Sequence, residues 1–348
     1  MSYKYKVELI PQSDFFFGGE YTFAKDDTRK ETSRYNATST YFPQQSAILG
    51  MLRKTLLIQN GNLTMHIKGE WIDSKGGKNG NDKNYYQATQ IAGERPFSYE
   101  SENNFGIIEE VSPLFLTYNN TAYTVNAKDA DYEIKRISAT MNVGNKVENA
   151  LMFEGYDPKK FTEDTLIGEN NSQLAFNEIF EKVQSVGIKK TQNREEQDDS
   201  YFQKTSYKLK EKSSFSFFLT LSEEVSWQNA FVTLGADQST FILKLSKTDN
   251  TFEKTFAHLF AKKGLDRVVV HSETLLSEKA YTDALFIFGK RESYRQLTNT
   301  QGKKSKRYYL LQRGSVIYTK NLNATVAVLS QKHLQKAGIN YFTPIQGI

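Results

Sequence analysis

No cysteine occurs among the 348 residues, which excludes a disulfide framework, a zinc ribbon, a thiolate nucleophile and an iron–sulfur cluster. That absence fits a reducing cytoplasm, where the protein is expected to work. No stretch reaches the ~20 apolar residues that a membrane span needs, and the segment from Met1 to Val7 lacks the apolar run of a signal peptide, so a soluble protein is expected. Charge of one sign is also scarce. Against 40 Asp and Glu stand 45 Lys and Arg, and the resulting +5 is too small for a protein that coats nucleic acid indiscriminately. Any contact with nucleic acid should be local and ordered. The four histidines, His66, His258, His271 and His333, are scattered without the spacing of metal ligands, and no metal or other cofactor is expected.

Catalytic signatures are missing too. Within "DFFFGGEY", Asp14 to Tyr21, the Gly18-Gly19-Glu20 turn has the letters of a metal-holding palm turn. Such chemistry needs at least two convergent carboxylates, yet Glu20 is followed by Tyr21 and Thr22, and the turn comes directly after the first strand. A plain glycine turn is expected. Gly302-Lys303-Lys304-Ser305 matches the end of a phosphate-binding loop, but Leu297 stands where its first glycine should be. No nucleophile-elbow pattern occurs. Metal-free RNA cleavage needs only one well-placed His or a Lys/Tyr pair, so a nuclease stays open at this stage, with His66 or His258 as its acid/base candidates.

What is present suits a mixed fold. At 38% hydrophobic the chain is long enough for two domains, and 13% aromatic residues serve either β-rich cores or base stacking. A first strand is expected from Val7 to Pro11. After Pro43, Ile48, Leu49, Leu52 and Leu56 recur at helical spacing up to a stop at Asn60-Gly61. Thr64 to Trp71 suggests a strand, and Pro113 to Val125 a hairpin turning at Asn119-Asn120, residues that tolerate positive φ. A helix is expected from Leu174 to Val186, and the charged "QNREEQDDS" of residues 192–200 is expected to be a solvated loop. Strands should follow around Phe215 to Leu221, Phe241 to Leu245, Val268 to His271, Leu285 to Phe288 and Ser315 to Tyr318, then a helix from Val326 to Ala337 capped by Gly338. Strands and helices do not alternate regularly, so the expected class is α+β, with domains at 1–200 and 201–348.

Basic residues interleave with aromatics at three places. Arg34-Tyr35 and "YFPQQS", residues 41–46, lead into a helix bearing Arg53 and Lys54; Lys189 and Lys190 precede Arg194; Arg291 and Arg295 precede the basic loop from Lys303 to Arg307. Each cluster alone is compatible with a solvated charged face. Together, with Gln44, Gln45 and Ser46 at a helix N-terminus that presents unpaired N–H groups, they suit single-stranded RNA held by charge and stacking.

The stretches "SDFFFGGEYTF", "RYNATSTYFPQQSAILGMLRKTL" and "FGIIEEVSPLFL", followed by "SVGIKKT", "VTLGADQSTF" and "RGSVIYT", resemble in content and order the third-subunit family of the Cmr complex. That complex is the type III-B CRISPR effector, and the family belongs to the RAMP superfamily. The resemblance implies two tandem ferredoxin-like, RRM-related domains, no catalytic site, and a grip on the repeat-derived 5′ tag of the crRNA. It also implies docking to the large signalling subunit and the first backbone subunit, with target RNA met only indirectly. Carried over by position, Gln44, Gln45, Ser46 and Arg53 lie where RNA or a partner is met, and Lys189 and Lys190 precede a loop near the tag. At Gly235-Ala236-Asp237-Gln238 similar proteins have a second glycine and a basic residue, which argues against an RNA contact by this turn. A crRNA-processing RAMP endoribonuclease and the equivalent subunit of a Csm-type complex are the alternatives.

Overall fold

A computed structural model describes residues 2–18, 21–25, 33–61, 65–67, 70–72, 83–93, 97–102, 104–143, 146–157, 164–190, 196–235, 237–261, 264–295 and 306–347, some of them as backbone alone. The first strand, Tyr3–Pro11, alternates strictly. Tyr5, Val7 and Leu9 are buried, while Lys4, Lys6 and Glu8 face outward. It lies in the middle of a nine-stranded sheet, antiparallel to Ser213–Leu221 on one side and Ser239–Lys247 on the other, with Val7 opposite both Phe217 and Leu245. Outward from Ser213–Leu221 follow Phe115–Tyr118, Thr121–Val125, Thr165–Gly168 and Gln173–Ala175; Ile108–Val111 also pairs with Ser213–Leu221, and Asn229–Leu234 closes the opposite edge.

The inner face of this sheet packs on the helix Gln45–Gln59 through Ile48, Leu49, Leu52 and Leu56, all essentially inaccessible. Burying each such side chain stabilises the fold by roughly 1.5–3 kcal/mol. The helix stops as expected: Asn60 Nδ2 donates to the Leu56 carbonyl at 2.8 Å, and Gly61 takes φ +66°. The aromatic run after Asp14 belongs to the same core. Phe15 and Phe17 stack at 4.7 Å, and Phe15 meets the Phe215 ring edge-on at 5.3 Å. The Phe16 and Phe17 amides donate to Ser239 Oγ and Ser39 Oγ, so "DFFF" straps the sheet from within. Gly18 has φ +84°, as a glycine turn requires, and residues 19 and 20 lie outside the described residues.

A second sheet orders Ala284–Phe288, Val316–Thr319, Arg267–Val270 and Phe342–Ile345, with a helix at Glu278–Thr282 and two at Leu322–Leu329 and Lys332–Gln335. Read along the chain, this is β-α-β-β-α-β. Its strands alternate between two interiors: Val269, Val316 and Tyr318 face the outer side of the large sheet with Phe115, Phe252 and Phe256, while Val268, Val270 and Ile317 face the helices. Two sheets thus share a core, with helices on both outer flanks.

A third sheet is built on a long hairpin, Phe180–Lys190 with Glu196–Leu209, joined in parallel by Ser33–Thr38 and then by Tyr21–Lys25. This corrects two expectations. The predicted helix over residues 174–186 is only Phe176–Ile179 before the chain extends, and residues 196–200 of the predicted loop belong to a strand. Pairing across the hairpin, from Phe180 with Leu209 to Lys190 with Glu196, prevails over the helical pattern. The strand Glu196–Leu209 crosses residue 200, and the large sheet takes strands from both sides of that position. The expected single helix over 326–337 is two helices, and Gly338 ends the second with φ +74°. The hairpin at Asn119-Asn120 is as expected, with φ of 48° and 64°.

Candidate nucleic-acid interface

Where the loop before the helix Gln45–Gln59 meets the antiparallel strands Arg291–Arg295 and Arg307–Leu311, a groove of about 340 Å³ opens. Its lining includes the rings of Tyr41, Phe176, Tyr207 and Tyr294, the amide of Gln44, and both cations, Lys290 and Arg313, and carboxylates, Asp164, Glu273 and Glu292. The rings form a connected set: Tyr41 lies 4.5 Å from Tyr207 and 4.8 Å, edge-on, from Phe176. Burial, together with the Tyr41 hydroxyl, raises the pKa of Tyr207, which keeps it a neutral hydrogen-bonding phenol.

Arg313 holds the groove together. Its Nη2 donates to Glu273 at 2.8 Å and to the Pro43 carbonyl at 3.3 Å, Nη1 donates to the Leu114 carbonyl at 3.3 Å, and the guanidinium lies 4.8 Å from the Phe42 ring centroid. A planar fork with five donors suits this convergence, and a lysine would not reproduce it. The following Gly314 has φ +74°, and a Cβ there would fall 2.5 Å from the Asn126 carbonyl oxygen. A second buried cluster ties the sheets nearby: Arg267 bonds Asp129, Tyr318 OH donates to the same carboxylate at 2.6 Å, and Arg267 Nη2 donates to the Phe260 carbonyl at 2.7 Å.

The residues expected to meet RNA separate into distinct groups. Gln44 is exposed at the helix N-terminus and lines the groove, without capping the helix through its side chain. Ser46 is half-buried and hydrogen-bonds Tyr99. Lys54 is exposed. Gln45 is instead buried, with Nε2 donating to the Ser112 carbonyl at 2.7 Å. Arg53 is buried as well: Nε donates to the Ala92 carbonyl and Nη2 to that of Gly93 at 3.1 Å, closing the C-terminal end of the helix Lys83–Ala92. Burial lowers its pKa to about 10. Gln45 and Arg53, both expected to meet RNA, are thus buried on backbone partners, Gln45 beside the large sheet and Arg53 against the end of the helix Lys83–Ala92. Arg34, Lys189 and Lys190 lie in strands whose side chains at those positions are outside the description, and Arg194 lies wholly outside the described residues.

In the third basic cluster, Arg291 lies 4.6 Å from the centroid of Tyr309, and Lys306 pairs with Glu100. Residues 303–305 and the Arg295 side chain are outside the description. Sequence reasoning missed Arg313, Lys290 and Tyr294 as groove residues, because only the tertiary fold brings them beside Tyr41. The one available signal was the motif "RGSVIYT" that carried the family resemblance.

The described histidine side chains take ordinary partners. His258 Nε2 is 2.9 Å from the Glu169 carbonyl and His333 Nε2 3.2 Å from that of Tyr99. His271 is buried against Phe252 and Phe260, its Nε2 is 2.8 Å from Thr343 Oγ1, and desolvation lowers its pKa to about 3. Among the described residues no group of three or more His, Cys, Asp or Glu could hold a metal ion, and no helix is long and apolar enough to cross a membrane.

Sheets of mainly antiparallel strands, with a groove beside the start of the first helix, define an α+β protein whose fold recurs in CRISPR complexes solved with target RNA. A chain in the cryo-EM structure of the type III-B Cmr-beta complex bound to cognate target RNA and AMPPnP superposes with a TM-score of 0.50 at 10% identity, covering 98% of this chain and 99% of that one. In the Cmr-beta complex bound to cognate target RNA the values are 0.50 and 12%, with 98% and 96% covered. A search of the curated proteins finds no match. The family model described as CRISPR-associated protein (Cas_Cmr3) matches residues 7–298, most of the chain. The chain belongs to the Cas_Cmr3 family, the one to which its sequence motifs pointed.

Proposed function

We propose that this protein is a non-catalytic, RNA-binding subunit of a cytoplasmic type III-B effector, holding the 5′ tag of the crRNA and joining the large signalling subunit to the backbone subunits. The observation that carries this is the groove: aromatic side chains and an exposed amide, Gln44, gather at a helix N-terminus beside Lys290 and Tyr294. Unstacked bases lie on rings, and phosphates accept from unpaired helix N–H groups and cations. The tandem ferredoxin-like arrangement is part of the same proposal. The β-α-β-β-α-β connectivity of residues 267–345 supports one such unit, and the large sheet, which mixes strands from 1–200 and 201–348, would contain the other in elaborated form. Membership of the Cas_Cmr3 family favours a Cmr-type over a Csm-type assembly.

Fluorescence anisotropy with crRNA carrying or lacking the tag tests the binding role. Preference for the tagged RNA, affinity that falls with salt, and a loss of about tenfold in Tyr41→Ala are expected, since stacking contributes ~1–3 kcal/mol per base. Equal affinity for both RNAs would remove the tag assignment. Site-specific cleavage of repeat RNA by the isolated chain without metal would replace the non-catalytic role with that of a processing endoribonuclease.

A further inference from the structure

The nine-stranded sheet has two edges that are finished differently. One is the three-residue strand Gln173–Ala175. The other is Asn229–Leu234, six residues that pair on one side only, with Ser239–Lys247, among the described residues. Every second residue of such a strand directs its N–H and C=O away from the sheet, and natural edges are guarded by lysine, proline, a bulge or a covering segment. Sequence guards are missing here. The stretch "SWQNAFVTLGA", residues 226–236, contains no charge and no proline in a chain that is 24% charged. Its pairing runs without a bulge from Asn229 opposite Lys244 to Leu234 opposite Ser239.

The two faces of the strand differ as well. Ala230, Val232 and Leu234 are buried in the core, whereas Phe231 is 83% exposed, the highest value for a large apolar side chain among the described residues. Ile242 stands directly across from Phe231, and Ile10 across from Ile242, which makes a short apolar row at the edge. Polar surroundings do not suit a polyanion: among the described residues the exposed cation in register with this edge, Lys244, stands opposite Asn229 and is flanked by Glu8 on the next strand. An uncharged row of backbone donors and acceptors next to an exposed ring complements another uncharged strand.

We propose that Asn229–Leu234 is a docking edge for an extended, uncharged segment of another protein subunit, which adds to the sheet as a further strand and lays an apolar side chain on Phe231. This rests on the proposed place of the chain in a multi-subunit effector, and its test separates the two. Amide hydrogen exchange of residues 229–234 is measured in the free chain at two concentrations, with guide RNA alone, and in the complex purified after co-expression with the other type III-B protein subunits and a guide RNA. The amides on the open side are expected to slow at least ~10-fold in the complex only. Phe231→Lys with Thr233→Lys is expected to abolish that protection and to release one protein subunit, at unchanged thermal stability of the free chain.

Equal exchange in the free chain and the complex overturns the proposal. So does slowing by RNA alone, which makes the edge an RNA contact, or slowing with concentration of the free chain, which makes the occupant a second copy. A chain that enters no protein complex overturns it too. RNA affinity of the same free chain, read by anisotropy, is the independent measure of the tag-binding function: its failure with a protected edge sinks that function and leaves the edge.

Discussion

The junction of the two sheets and the helix Gln45–Gln59 both place arginine in the interior, but they satisfy it differently. At the junction Arg267 and Arg313 each meet a carboxylate together with carbonyls, so charge is matched as well as hydrogen bonds. In the helix Arg53 donates to the backbone carbonyls of Ala92 and Gly93, while its neighbour Lys54 is exposed. Adjacent basic residues in one sequence cluster thus have opposite fates: Arg53 is buried against backbone carbonyls and Lys54 faces outward.

The largest expected effect comes from breaking the matched charge. Arg267→Met removes the guanidinium bonded to the fully buried Asp129, and chemical denaturation should show a loss of about 3–5 kcal/mol. The double change Arg267→Met with Asp129→Leu should recover much of it. If the single and double variants are equally unstable, the pair is not what matters at the junction.

Acid should discriminate between the two regions next. His271 is buried neutral, so its folded pKa lies near 3, below the 6.5 of the unfolded chain. The unfolded state therefore takes up a proton first. The stability contributed by the neutral ring is whole above pH 6.5 and declines as pH falls toward 3, by roughly 2 kcal/mol at pH 5. Melting temperatures measured from pH 7 to pH 4 should fall more steeply in the parent than in His271→Gln.

Smaller changes are expected in the helix. Arg53→Met leaves the Ala92 and Gly93 carbonyls without these donors and should cost about 1–2 kcal/mol in denaturation, without altering the salt dependence of RNA binding. Lys54→Ala should change stability by no more than about 0.5 kcal/mol. Any reduction it causes in RNA affinity should vanish at high salt. Should Arg53→Met rather than Lys54→Ala change the salt slope, the assignment of the buried and exposed residues is reversed.

The sequence displayed the elements whose causes are local. Asn119 and Asn120 tolerate positive φ, the spacing of Ile48, Leu49, Leu52 and Leu56 repeats every turn, and Tyr5, Val7 and Leu9 alternate. Elements decided by distant partners stayed hidden. Leu174, Ile179 and Val183 fit a helical stripe, but residues 180–190 pair with 196–209, and no local signal announces that partner. The groove was half legible for the same reason. Tyr41 and Gln44 stand out beside a helix start, whereas Arg313, Lys290 and Tyr294 join them only through folding of residues about 250 positions further on. Composition likewise marked Arg53 and Lys54 as one basic cluster, and only the packing of the helix separates them.

The placement of Tyr3–Pro11 between Ser213–Leu221 and Ser239–Lys247 has a consequence during synthesis. Both neighbours of this strand are made more than 200 residues later, so at ~5–20 residues per second it waits roughly 10–50 s on the ribosome before it can be enclosed. Tyr5, Val7 and Leu9 remain uncovered throughout that interval, which makes the nascent chain a client for holdase chaperones and leaves a product halted near residue 200 without the centre of its principal sheet.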